Sequence, residues 1–477
     1  MPTAVDPAAP DQAQEEALPS DWQAIKDSLR GKRADYTKLP LRRAILLLAV
    51  PMALELVMES TFGLVDIFFV GQLGPEAVAT VGISGSLIIV IFAVAMGLSI
   101  GTTAMVSRRI GEGDDEGANV AAAQAILSGI GFSVPLGVAG WFLAPTMLGW
   151  MGGSPDVIAG ADYTAVNFGG CATIFLLFLN NAIFRGAGDA AMAMRSLWLA
   201  NILNIILDPI LIFGFGPVPA MGLLGAAIAT AVGRGVGVLY QLWALAYGDR
   251  RVQVKLHAFG LDLPVAKRLL RVSVSGMLQF FIATASWLGI MRIVALFGDS
   301  TLAGYTIALR LIHFTILPSW GLSNAASTLV GQNLGAKNPV RAEEAVWITG
   351  RYNFILLASE AVVYWVFAEP MIRIFADDPA VVEAGVLSLR ISSSAYLFSA
   401  FTMVFSQAFN GAGDTDTPTK INLVCFWLLQ LPLAYFLARV LGWGLGGALG
   451  AIVVSLATWA LIGLIVFKRR AWKKVQV

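Results

Sequence analysis

Arg185-Gly186-Ala187-Gly188-Asp189 returns as Asn410-Gly411-Ala412-Gly413-Asp414, and Arg109-Ile110-Gly111-Glu112-Gly113 returns as Asn333-Leu334-Gly335-Ala336-Lys337. Gly186 and Gly411 are 225 positions apart and Gly111 and Gly335 are 224 apart; Leu73-Gly74 against Phe297-Gly298 repeats the offset of 224. A register that drifts by one residue over half of a 477-residue chain marks a duplication. The turns separate apolar stretches of about 20 residues or more, the length a helix needs to cross a bilayer. Duplication in so apolar a chain is the pattern of a secondary transporter whose site lies between two half-molecules.

Composition points the same way. Mean hydropathy is +0.74, with 57% hydrophobic and 13% charged residues, against roughly 25% charged in soluble domains. Twelve spans, helices 1 to 12, are expected at 43–70, 77–104, 119–143, 158–184, 194–215, 222–247, 268–297, 302–330, 342–368, 381–409, 419–440 and 445–467. The expected fold class is an all-α membrane protein, twelve transmembrane helices in two pseudo-symmetric six-helix bundles around a central cavity. Six spans per repeat is an even number, so both halves enter the bilayer in one orientation, related by an axis along the membrane normal. The chain then divides into a tail with an interfacial helix (1–40), an N-lobe (41–247), a linker (248–267), a C-lobe (268–467) and a basic tail (468–477).

Of the 32 Lys and Arg, 26 fall in segments on the side of the N-terminus, and only Arg373 and Arg439 lie in the opposite loops. This bias predicts a multi-pass protein of the cell (inner) membrane with both termini in the cytoplasm. The basic excess is a topology signal, and no nucleic-acid partner is expected; the lipid bilayer is the surrounding partner, and the chain is read as a monomer. The first 40 residues hold no apolar core and carry early acids, unlike a secretory signal or a transit peptide. Residues 1–19 read as disordered. Ser20 and Gln23 then form a capping-box pattern, with Trp22, Ile25 and Leu29 on one face of a short interfacial helix. Cys171 and Cys425 fall in opposite halves and read as inert core thiols. With two histidines, His257 and His313, and no His-Glu-x-x-His pattern, neither an enzyme, a cofactor nor a structural metal is expected.

Helix 1 carries Glu55, Glu59 and Asp66. At about 100° per residue, Glu59 lies about 40° from Glu55 and Asp66 about 20° back from Glu59, so all three share a face in a stripe about 16 Å long. Ionisable groups within spans are costly and face water or partners. Such a stripe would line a cavity, attract cations and bind protons. The competing reading is that the glutamates lock packing by pairing with arginine, for which helices 1 to 6 offer only Arg234. Pro51, one turn before Glu55, removes a helical hydrogen bond and gives helix 1 a bending point. Helix 5 holds Asp208, with Asn204 one turn earlier, at a depth similar to that of Asp66. Two carboxylates in one desolvated pocket cannot both ionise cheaply and compete for a proton. With Asn204 and Thr230, the same oxygens could hold Na⁺ instead. In the other half, Gln279, Phe280 and Phe281 on helix 7 and Arg310, His313, Pro318 and Trp320 on helix 8 offer an aromatic surface suited to flat lipophilic cations. Glu360 in helix 9 reads as the partner of a C-lobe arginine.

Together these residues resemble the multidrug and toxic compound extrusion (MATE) family of cation-coupled exporters over about residues 40–468. The likeness rests on Pro51, on Gly63-Leu64-Val65-Asp66 running into Gly71-Gln72-Leu73-Gly74, on both Gly-Ala-Gly-Asp turns, and on Asn204 with Asp208. The acids that Na⁺-driven members carry on helices 7 and 10 are replaced by Gln279 and Ser399, so the pattern is similar to the DinF-like branch. The resemblance implies that Asp66, Asn204, Asp208 and Thr230 bind the coupling ion, H⁺ or alternatively Na⁺ at Asp66, Asn204 and Asp208. It places Asn180 and Asn181 near the substrate path, with Glu55, Glu59 and Gln279. The family usually has uncharged residues at the positions of Glu55 and Glu59, so these look like a local specialisation for a cationic substrate. The implied activity is antiport of lipophilic organic cations against inward protons. A Na⁺-coupled exporter of the same family, or a flippase of a lipid-linked substrate, is the alternative.

Overall fold

The computed structural model describes residues 21–31, 34–248, 251–254 and 256–475. The expectations for residues 1–19, for Ser20 and for the His257 side chain lie outside the described residues. Among the described residues, nine helices are long and apolar enough to cross a membrane and three bent pairs bring the total to twelve. Helices 1, 2 and 3 are Leu41–Gly71, Pro75–Glu112 and Asp115–Trp150, and helix 4 is Ala161–Gly169 with Cys171–Ala187. Helices 5, 6 and 7 are Ala190–Phe213, Leu223–Tyr247 and Leu263–Phe297, and helix 8 is Asp299–Thr315 with Leu317–Gly335. Helix 9 is Pro339–Arg373, helix 10 is Pro379–Ser394 with Tyr396–Ala412, and helices 11 and 12 are Asp416–Val440 and Gly444–Lys468. Several run beyond the apolar limits, because their ends are held by packing and caps after hydropathy fades. Helix 1 passes through Pro51 unbroken.

The repeated turns are helix stops fused to helix starts. Gly188 and Gly413 close helices 4 and 10 with φ of 87° and 84°, the left-handed conformation that costs glycine nothing. Asp189 and Asp414 then accept hydrogen bonds from the backbone N–H of Met192 (3.2 Å) and Thr417 (3.4 Å) at the start of the next helix. The second pair works alike. Gly113 and Lys337 hold φ of 74° and 58°, and Asp114 and Asn338 cap Gly117 and Arg341 through bonds of 2.8 and 3.0 Å. Each cap satisfies an N–H that the first turn of a helix leaves unpaired.

The two bundles meet through matched glycine contacts on the side where both described chain ends lie. A Cβ on Gly111 would stand 2.0 Å from the Gln332 carbonyl oxygen, and one on Gly335 would stand 2.2 Å from that of Arg108. These are one contact made twice, since 108 and 332, like 111 and 335, differ by 224. Gly321 against Ala53 and Gly97 against Met277 repeat the arrangement between helices 8 and 1 and helices 2 and 7. The bundles are therefore parallel repeats about a two-fold axis, and backbone-to-backbone packing closes the molecule at its terminus side.

The chain outside the bundles reinforces that closure. The helix Asp21–Arg30 docks on the N-lobe with Asp27 and Ser28 buried and Trp22 64% exposed. Arg43 pairs with Asp27 at 3.0 Å and Arg195 donates to the Leu29 carbonyl at 2.6 Å. The polar face of this helix is thus the packed one, because arginines of helices 1 and 5 reach its acid and its C-terminal carbonyl. Tyr36 then donates to the Gly188 carbonyl at 2.9 Å, and Arg341 of the C-lobe donates to the Tyr36 and Leu39 carbonyls. The central linker packs beneath helix 3, where Asn119 accepts from the Gln253 N–H and Gln124 donates to the Gly260 carbonyl.

Candidate functional site

Between the bundles lies a cavity of about 450 Å³. Its N-lobe wall includes Glu55, Glu59, Asn181 and Arg185, and its C-lobe wall includes Gln279, Phe280, Trp320 and Ser399. Glu55, Glu59, Asn181 and Gln279 of the sequence expectation therefore come together here. Asn180 stands behind the wall, fully buried, with both amide atoms unpartnered. Phe281 is 58% exposed and Arg310 and His313 face outward from helix 8, whereas Phe280 and Trp320 of the expected aromatic surface line the cavity, joined by Phe178, Phe426 and Trp459.

The acidic stripe of helix 1 does not act as one surface. Glu55 is 4% exposed and accepts from Asn181 Nδ2 at 2.9 Å, while Arg185 Nη1 lies 3.2 Å from the same oxygen. Gln241 in turn donates to Asn181 Oδ1 at 2.6 Å. The partner missing from the sequence reading is Arg185, placed in a loop because apolarity ends at residue 184; helix 4 continues one turn further and turns its last arginine towards helix 1. Glu59, one turn beyond, receives a neutral donor, Asn201 Nδ2 at 2.9 Å. The wall thus carries one carboxyl paired with a cation, Glu55, and one held by a neutral amide, Glu59.

Glu55 and Arg185 are both largely desolvated, with side-chain exposures of 5% and 15%. Removing only the cation strands a buried charge, a loss of roughly 3–5 kcal/mol. Arg185→Met is therefore expected to lower the melting temperature of the purified protein sharply, and adding Glu55→Gln to restore most of it. An Arg185→Met protein that melts like the wild type would contradict a buried ion pair.

Asp66 lies elsewhere, beside a second cluster inside the N-lobe. Asp66 and Asp208 each sit five residues before the far end of their helices, and they lie within electrostatic range of each other. Arg234 and Tyr163 complete the surroundings. Asp208 is fully buried and neither of its oxygens finds a hydrogen-bond partner among the described residues; Asn204 Oδ1 is also buried and unpartnered there. Asn204 Nδ2 donates to Thr230 Oγ1 at 3.0 Å, which leaves the amide oxygen as its unpartnered end. Three buried acceptor oxygens without a donor are costly unless a cation, H⁺ or Na⁺, joins them. Tyr163 and Asn201 escaped the sequence reading. Asn201 is three residues before Asn204 on the same helical face, a detectable signal; Tyr163 lies on helix 4, and its approach to helices 1 and 5 is a matter of tertiary packing that sequence periodicity does not announce.

Two parallel six-helix bundles, sealed at one end around a central cavity, with a cluster of buried carboxyl and amide oxygens inside one of them, define a membrane transporter and not an enzyme. The chain belongs to the MatE family of ion-coupled transporters, whose family model matches once in each bundle, at residues 51–210 and 276–436. It is 27% identical to the probable multidrug resistance protein NorM of Thermotoga maritima over 443 residues, 91% of this chain and 94% of the relative. It is 27% identical to the FAD transporter of Shewanella oneidensis over 428 residues, 89% and 93% of the two chains. Among solved structures it resembles an outward-facing multidrug resistance MATE transporter of the MOP superfamily, with a TM-score of 0.86, 26% identity and 92% and 98% coverage.

Proposed function

We propose that this protein is a multidrug exporter of the DinF-like branch that exchanges lipophilic organic cations for inward-moving protons. It works as a monomer in the inner membrane, with both termini in the cytoplasm. The observation that carries this reading is the set of unpartnered oxygens of Asp208 and Asn204 beside Asp66. With the terminus side cytoplasmic, the glycine seal makes the present conformation outward-facing. A substrate entering the opposite, cytoplasm-facing state meets ionised Glu59 on one wall and Phe280 and Trp320 on the other. Rocking of the bundles opens the cavity outward, and protons from outside then occupy Asp66 and Asp208. Helix 1 links the two places, since Glu59 and Asp66 lie two turns apart on it. Proton and substrate must be antagonistic, because a ligand shifts such an equilibrium only through unequal affinity for the two states.

The relative named as an FAD transporter sets a contrast. A flavin dinucleotide carries phosphates, and Glu59, which has no cationic partner among the described residues, repels them. A lipid-linked anionic headgroup meets the same obstacle.

Reciprocity gives a direct test. Adding a lipophilic cation to the protein in weak buffer is expected to release protons to a pH indicator; cation binding without proton release would overturn the exchange reading. Glu59→Gln is expected to weaken a monovalent cation about tenfold, or ~1.4 kcal/mol, and to leave a neutral analogue of similar shape unchanged. Equal effects on both ligands in a binding titration would remove Glu59 from charge selection.

A further inference from the structure

The C-lobe contains a half-buried acid that the exchange cycle does not use. Glu360 lies in helix 9 with Oε2 buried and without a hydrogen-bond partner among the described residues, and the Thr315 hydroxyl is a donor within interaction range of its carboxyl. Thr315 is the last residue of the first segment of helix 8, which bends there by 44°. Pro318 causes the break: it has no N–H for the Phe314 carbonyl, and its ring crowds the preceding turn. Helix 10 bends by 50° beside it, where Ser393 and Ser394 both donate to the Arg390 carbonyl, at 3.0 and 2.9 Å, a competition with the backbone ladder that bends helices. Tyr396, first residue after that break, donates to the Ile312 carbonyl at 3.4 Å.

We propose that Glu360 is a proton-binding site of the second bundle, seated where helices 8 and 10 both break, and that its proton redirects the hydrogen bonds of the helix 8 break. The hydroxyl inventory dictates two patterns. An ionised Glu360 can only accept, so Thr315 Oγ1 donates to it. Tyr364 Oη, 2.6 Å from Thr315 Oγ1, then donates to that oxygen. A protonated Glu360 donates to Thr315 instead. The Thr315 hydrogen then turns to the Ile312 carbonyl, at 3.4 Å, and the Tyr364 hydrogen to the Leu311 carbonyl, at 3.0 Å. One proton moves two donors onto the last carbonyls before the break.

No cation competes for this acid among the described residues. Arg310 and His313 occupy the exposed face of helix 8, and Arg390 of helix 10 gives its Nε to the Trp365 carbonyl at 3.3 Å. Tyr364 and Tyr396 are the titratable neighbours that act on it. On the cavity side of the same two breaks stand Ile316 and Trp320 of helix 8 and Ser399 and Met403 of helix 10. A change of bend at Thr315 therefore moves the aromatic wall of the cavity. This site is independent of the N-lobe cluster and of the exchange reading.

Infrared pH-difference spectra of the full-length protein in lipid test it. A protonated-carboxyl C=O component is expected to disappear in Glu360→Gln and to persist in the Asp66→Asn/Asp208→Asn double variant. Thr315→Val keeps the carboxyl but removes its partner, and is expected to move that component's midpoint by about one pH unit. An undiminished band in Glu360→Gln, or a midpoint indifferent to Thr315→Val, would overturn the proposal. A midpoint that follows Na⁺ concentration at constant ionic strength would also overturn it, in favour of a sodium site.

Discussion

Asp66→Asn is expected to abolish export driven by a pH gradient while leaving the protein folded and able to bind lipophilic cations. The expectation rests on geometry. Asp66 does not line the substrate cavity; it stands in the N-lobe beside Asp208, whose oxygens, with that of Asn204, are buried acceptors without donors. An amide at position 66 removes a charge that acts on Asp208 and a group able to take up a proton, but it keeps the volume. Coupling free energies between linked sites run to roughly 1–3 kcal/mol, about 5- to 150-fold in affinity. The variant should lose that dependence, binding substrate with an affinity that no longer changes with pH. Binding titrations at two pH values would show it. A retained pH dependence would move the coupling group to another residue.

Gly111→Ala should have the second large effect, through conformation. Its added methyl would stand 2.0 Å from the Gln332 carbonyl oxygen, an atom of helix 8 backbone that cannot swing aside. The bundles would then part at the terminus side, and the two-fold-related contact of Gly335 with Arg108 would open with it. Transport should fall to background because one of the alternating states is excluded. Ser107 is fully buried at this seal, so Ser107→Cys provides a reporter against Cys171 and Cys425, both buried. Its thiol should be protected from a membrane-impermeant reagent in the parent and labelled from the terminus side when Gly111→Ala is added. Gly131→Ala is the control, since nothing lies within 4 Å of a Cβ there. Wild-type transport with continued protection of the thiol would show that the seal tolerates a methyl.

These expectations differ in how far the sequence reveals their basis. The duplication is legible because its turns are local chemistry: a residue of positive φ, glycine in three of the four turns and Lys337 in the fourth, closes one helix, and the following Asp or Asn caps the next. The shared face of Glu55, Glu59 and Asp66 is legible for the same reason, since helical periodicity is local. The division of that face into a cavity wall and an N-lobe cluster is not, because it depends on which helices pack against each end. Arg185 shows the limit most sharply: hydropathy ends before it, yet tertiary packing extends helix 4 and delivers its guanidinium to Glu55. The role of Glu360 depends likewise on two breaks meeting in space. Pro318 hints at one of them, whereas the serine-induced bend of helix 10 becomes visible only in the folded chain.

Exchange of a substrate for a proton is the central claim, and flux in proteoliposomes of known orientation tests it most directly. Movement of a fluorescent lipophilic cation is followed under a pH gradient without Na⁺, then under a Na⁺ gradient at fixed pH. The proposed mechanism predicts uphill movement driven by the pH gradient alone and lost in Asp66→Asn. Movement driven only by Na⁺, or proton-driven movement that survives Asp66→Asn, would contradict it.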